Sequence, residues 1–205
     1  MNFQEFRTEL FEYICFTSNQ VYAWHPDFDK NNLSRWVKKG FIVRLRNGYY
    51  SFPEYLGASD NALYIANRIY RPSYISLHTA LAFYGMIPES VVQITSVTSL
   101  KTSTFINPFG TYTYNTIRPD LMFGYDAKST TGGRTLLFAK PEKALIDLLY
   151  LYPFYEKPAD FEELRLDADF LEEHLNIDLL KEFSAKAGNA ALEKRARTLL
   201  TTYGL

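Results

Sequence analysis

Residues 29–52, DKNNLSRWVKKGFIVRLRNGYYSF, leave the backbone few options. Leu33, Trp36 and Val37 recur at the spacing of one helical face, while Asn31, Asn32, Arg35, Lys38 and Lys39 point elsewhere. Asp29 offers a cap for the start of that helix and Gly40 a left-handed stop for its end. Residues 41–45 and 49–52 are strand-like. Asn47-Gly48 between them is a strong hairpin signal, because both residues tolerate positive φ.

Upstream, Phe3, Phe6, Leu10, Tyr13 and Ile14 keep helical spacing and predict a first helix over 3–16. Thr17-Ser18 caps a short second helix over 19–24, which Pro26 closes. Helices followed by a two-stranded wing within residues 1–54 predict a winged helix-turn-helix. PEYLGAS, residues 53–59, is a turn-rich boundary. Beyond it the pattern changes. Helices are expected over 60–70 and from a Ser76 cap to Gly85, strands over 91–99, 110–117 and 134–139, and a helix over 141–151 that Pro141 opens. Two more helices, over 175–187 and 189–203, close the chain. The fold class expected is therefore α+β, an N-terminal winged helix-turn-helix followed by a mixed α+β domain over 59–205.

Charge gives the first domain a purpose. From position 30 to 48 the chain carries Lys30, Arg35, Lys38, Lys39, Arg44 and Arg46 and no acid, although its formal net charge is -1. The major groove of DNA admits one helix, asparagine and arginine read base edges, and lysine and arginine hold phosphates. Asn31, Asn32 and Arg35 are accordingly the candidate base readers, and Lys30, Lys38 and Lys39 the backbone contacts. Arg44 and Arg46 in the wing would reach a flanking minor groove or phosphate. A winged-helix module that binds protein instead of DNA is the alternative from another class. The acids of residues 156–178 have the opposite sign; they fit a solvated face or a surface for a basic partner.

Other chemistries fare poorly. His25, His78 and His174 are scattered without metal-ligand spacing, and no cofactor-binding or hydrolase motif is present. Asp120 followed by Asp126-Ala127-Lys128 resembles the acidic pair and lysine of restriction-type nucleases, but the gap is too short for a turn and a full second strand. Thr131-Gly132-Gly133-Arg134 reads as a turn. Cys15 lies in an apolar run and reads as a small buried hydrophobe, with no disulfide partner in the chain. The first residues carry acids and lack the apolar core of a signal peptide, and no apolar run is long enough to span a membrane. A soluble, cytoplasmic, non-enzymatic protein is expected.

LSRWVKKGFIVRLRNGYYSF, then YISLHTALAFYGMIPESV, then a strand region ending FGY and FAKPEKALIDLLYL, together resemble the AbiEi-type antitoxins of bacterial abortive-infection toxin–antitoxin systems. The most specific pieces are Gly48 to Tyr50, the trio Tyr74, Ser76 and Ala80, and the A-x-P-E-K-A-L-x-D stretch from Ala139 to Asp147. The resemblance implies a winged helix that represses its own operon and a second domain that neutralises a nucleotidyltransferase-like toxin. It implies operator DNA as a partner, on repeats where two copies can sit together, and no cofactor. It supplies no base-contacting residues, so the DNA contacts rest on helix geometry alone.

Overall fold

One cluster rich in aromatic residues builds the first part of the chain. The computed structural model describes residues 1–88, 92–130 and 132–205. Helix α1 (Phe3–Leu10) leads to β1 (Phe16–Thr17), α2 (Ser18–Trp24), α3 (Asn31–Lys38), β2 (Val43–Arg46) and β3 (Tyr49–Ser51). The strands form an antiparallel sheet in the order β1-β3-β2. Phe6 is the hub: its ring meets Trp36 of α3 at 4.6 Å, Phe16 at 5.5 Å and Phe28 at 5.8 Å. Leu10, Val21, Leu33, Ile42, Tyr50 and Phe52 complete this core.

Helix α1 stops at Leu10, well short of residue 16, because residues 15–17 bend into β1 to pair with β3. That short strand carries no alternating pattern of its own. Helix α2 forms as expected, with Thr17 and Gln20 as a reciprocal capping box. At α3 the Asp29 carboxylate accepts from the Asn31 amide at 2.9 Å. Lys30 already has helical φ and ψ, so the cap acts one residue further out than the usual position. In the hairpin only Gly48 takes positive φ, at 76°, and Asn47 does not. A bulge between Arg44 and Arg46 absorbs the extra residue, which a mirror-image two-residue turn would not have needed.

After a 3-10 turn at Pro53–Tyr55 come α4 (Ser59–Ile69), β4 (Ser73–Ile75), α5 (Leu77–Phe83), β5 (Gln93–Thr98), β6 (Ser103–Asn107) and β7 (Gly110–Thr116). A second 3-10 turn, Pro119–Leu121, precedes β8 (Tyr125–Ser129), β9 (Thr135–Ala139) and α6 (Pro141–Leu151). The mixed six-stranded sheet runs β6-β7-β5-β4-β9-β8, with parallel pairings β7/β5 and β4/β9. The chain is therefore a mixed α+β protein. Residues 73–75 and 95–98 are buried at consecutive positions and need cover on both faces, which α4 and the α5–α6 pair provide. Val91, expected to start a strand, lies outside the described residues.

The acidic stretch contains two helices that the sequence reading did not separate, α7 (Pro158–Glu163) and α8 (Ala168–His174). Phe161, Leu164, Leu171 and Leu175 are buried there, while Glu156, Glu162, Glu163, Asp167, Asp169, Glu172, Glu173 and Asp178 face solvent. Helices α9 (Ile177–Lys186) and α10 (Ala190–Thr202) then pack against α6. No helix among the described residues is long and apolar enough to cross a membrane.

The small aromatic core and the large one fall on either side of residues 53–58, with Ile14 and Leu45 as the exceptions. Both are buried and join the large cluster. Cys15 is partly covered beside them, and burial pushes its thiol up to about 12. Since the thiolate is the reactive form, Cys15 should alkylate roughly a thousandfold more slowly than a free cysteine at pH 8. Mass spectrometry after timed iodoacetamide treatment checks this; native-state labelling at the rate of the unfolded chain would contradict it.

Candidate nucleic-acid interface

Eight residues give α3 a length of about 12 Å, two helical turns, at 1.5 Å per residue. Its buried stripe is Leu33 and Trp36, with Val37 partly covered. On the opposite side Asn31, Arg35 and Lys38 are exposed and follow one another at intervals of four and three, so they form a single outward ridge. Ser34 lies beside it. Asn32 is half-buried on the flank, and Lys30 and Lys39 are exposed at the two ends. Arg35 reaches Asp29 at 3.6 Å, with both side chains more than half exposed. Such a pair is weak and yields readily to a better anion.

The wing arginines part company. Arg44 is exposed. Arg46 turns toward the large sheet, its guanidinium 4.8 Å from the Tyr49 ring, 5.1 Å from Phe105 on β6 and 5.7 Å from Tyr70. Nearby, the Asn107 amide donates to the Leu45 carbonyl at 3.1 Å. The alternation of strand residues gave no warning, because two of the three aromatic partners, Tyr70 and Phe105, lie more than twenty positions away. Arg46→Ala should cost about 1–2 kcal/mol of stability, the scale of a partly desolvated cation–π contact. A urea melt measures that loss, and a DNA titration of the same variant should change little.

A second constellation escaped the sequence reading as a site, although its residues belong to the stretches that carry the family resemblance. Lys143 and Asp147, four apart on α6, form an ion pair with side chains only 1% and 2% exposed. Asp147 also accepts from Ser76 Oγ at 2.7 Å and Tyr74 Oη at 3.0 Å. Ser76 precedes α5 as expected, yet its hydroxyl is committed to Asp147 and makes no capping bond. Thr95 of β5 replaces it, accepting from the Thr79 amide at 3.1 Å. Burial pushes the Asp147 carboxyl up, opposed by Lys143 and the two hydroxyls. A lysine and an aspartate four apart on a helix that is apolar beyond its first turn were the available signal.

The nuclease-like fragment does not converge. Asp120 sits in a 3-10 turn and pairs with Arg118 at 2.8 Å, whereas Asp126 is on β8 and faces Lys140 at 3.5 Å. Among the described residues no group of three or more histidine, cysteine or acidic side chains could hold a metal. Of the segment 131–134 read as a turn, Thr131 lies outside the described residues, while Gly133 takes φ 71° and its amide donates to the Thr130 carbonyl. Compared with known proteins, the chain matches no family model and no curated protein.

Proposed function

We propose that the protein is a DNA-binding transcriptional repressor and antitoxin of a toxin–antitoxin system, counteracting a nucleotidyltransferase-like toxin. The observation that carries the DNA-binding half is the exposed ridge of Asn31, Arg35 and Lys38 on a helix whose other face is locked into an aromatic core. In this reading residues 1–54 are a winged helix-turn-helix, α3 is the recognition helix and Arg44 is the wing contact. The succession of three helices and the β2–β3 hairpin supports it. Lys30 and Lys39 hold phosphates on either side of the ridge.

The antitoxin half rests on the resemblance to AbiEi-type proteins. It is supported by the convergence of Tyr74, Ser76, Lys143 and Asp147, taken from two separate stretches of that resemblance, on one buried network. Residues 59–205 carry this part, and the solvent-facing acids of α7 and α8 suit a basic partner surface.

Two measurements test the proposal. Titration of the full chain against its own promoter DNA at several salt concentrations should show steep loss of affinity with salt, since each phosphate contact releases counterions. Co-expression should relieve toxicity of the nucleotidyltransferase-like gene expected beside it. Salt-insensitive or absent DNA binding, with a protein partner captured through α3, would establish the interaction-module reading in its place.

A further inference from the structure

Where α4 meets the start of β9, Tyr64, Asn67, Arg68, Arg71 and Arg134 line an open cleft of about 360 Å³. We propose that this cleft binds phosphate oxygens of a phosphorylated ligand, a role separate from the α3 ridge. Two of its three cations are held by neutral acceptors, so their charge is not cancelled. Arg68 donates from Nε and Nη2 to the Tyr64 hydroxyl at 2.9 and 2.6 Å. Arg134 donates from Nη2 to the Glu12 carbonyl at 3.1 Å, with its guanidinium 5.9 Å from the Tyr64 ring. Among the described residues neither guanidinium, nor that of Arg71, makes an ion pair with a carboxylate. A guanidinium carries five N–H donors, so each of the two that are anchored keeps donors for a ligand.

The observation that turns a basic surface into a site is Asn67. It is 7% exposed, and its Oδ1 accepts from the Leu137 amide on β9. That amide needs a partner there, because β4 pairs with β9 only at Ile75 and Phe138. The bond fixes the orientation of the carboxamide of this cleft-lining residue and leaves its Nδ2 buried without a hydrogen-bond partner among the described residues. A buried amide donor without an acceptor is destabilising, and an anion in the cleft removes the deficit. Guanidinium groups bind phosphate through paired N–H bonds, and the cleft is large enough for more than a bare ion. Sequence spacing concealed the site, since Arg134, the residue before β9, lies far from α4 in the chain.

Calorimetric titration of the full chain with ADP and with inorganic pyrophosphate, at fixed ionic strength, tests the assignment. Saturable one-site binding is expected, weakened at least about tenfold by Arg71→Glu, the scale of one lost charge-assisted pair. Asn67→Asp keeps the acceptor for Leu137 and replaces the donor by a carboxylate oxygen, and should weaken binding as strongly. Arg71 is exposed, so its variant should melt with the native protein, and Arg35→Ala should bind both probes normally. The same variants titrated against duplex DNA identify the source. Weakened ADP binding with intact duplex binding marks a free phosphorylated molecule, whereas weakened duplex binding marks a nucleic-acid backbone. Absence of saturable binding to both probes with unchanged duplex binding, or ADP binding indifferent to both substitutions, would overturn the proposal.

Discussion

Asp147→Ala is expected to remove about 3–5 kcal/mol of folding stability, the scale for deleting one partner of a buried ion pair. The loss has three sources. Lys143, with a side chain 1% exposed, is left as an uncompensated cation inside the large core. The Tyr74 and Ser76 hydroxyls lose their shared acceptor. A cavity opens between α6 and β4. Against a typical total of about 5–15 kcal/mol, much of the protein would then be unfolded or aggregated at physiological temperature. Urea denaturation followed by circular dichroism measures the effect, and a loss below about 1 kcal/mol would mean that the pair is not structural.

Lys143→Met separates charge from shape. It leaves Asp147 with its two hydroxyl donors but no cation, so burial acts on the carboxyl unopposed by charge and raises its pKa further. An acid whose folded pKa lies above its unfolded value contributes stability that is present below the unfolded pKa and is lost as pH rises through the folded one. The Lys143→Met chain should therefore gain stability, relative to the native chain, as the pH is lowered from neutral toward the carboxylate range. A combined Lys143→Met and Asp147→Leu variant removes both charges and should recover part of the Asp147→Ala loss, short of full recovery because Tyr74 and Ser76 still lack an acceptor.

The features that were legible in the sequence are those whose cause is local. Periodicity and caps give α2, α3, α4 and α6 within a residue or two, because Thr17, Pro141 and the apolar stripes act within one helical turn. The features that were missed depend on partners distant in sequence. β1 exists only through its pairing with β3, and β6 is an edge strand of alternating exposure whose second neighbour is the β2 hairpin strand. The same distinction runs through the candidate interface. Asn31, Arg35 and Lys38 share a ridge because helical spacing dictates it, while Arg46 is drawn to Tyr70 and Phe105 by tertiary packing that no local pattern encodes. Residues 1–54 are correspondingly tied to the rest of the chain. Ile14 and Leu45 are 2% exposed and belong to the large core, so functional tests belong on full-length variants and not on a severed second half.

On its own promoter, Arg35→Ala should weaken binding by about 1–3 kcal/mol, roughly ten- to a hundredfold, if the arginine reads a base edge. Lys38→Ala should weaken it more evenly across sequences and flatten the salt dependence by about one counterion, as loss of a phosphate contact does. The two sites sit three apart on one ridge and need not add. Asp29 supplies an internal contrast. Its carboxylate caps the helix at the Asn31 amide and also lies 3.6 Å from Arg35, where it would compete with a DNA phosphate or base for the guanidinium. Asp29→Asn preserves the capping oxygen and removes the charge, so it should leave folding intact and tighten DNA binding. Toxin neutralisation should persist in all three variants, because none touches the second core. Native affinity in both Arg35→Ala and Lys38→Ala at fixed salt would remove α3 from the interface, and tightening by Asp29→Asn without weakening by Arg35→Ala would reduce the ridge to a general electrostatic effect.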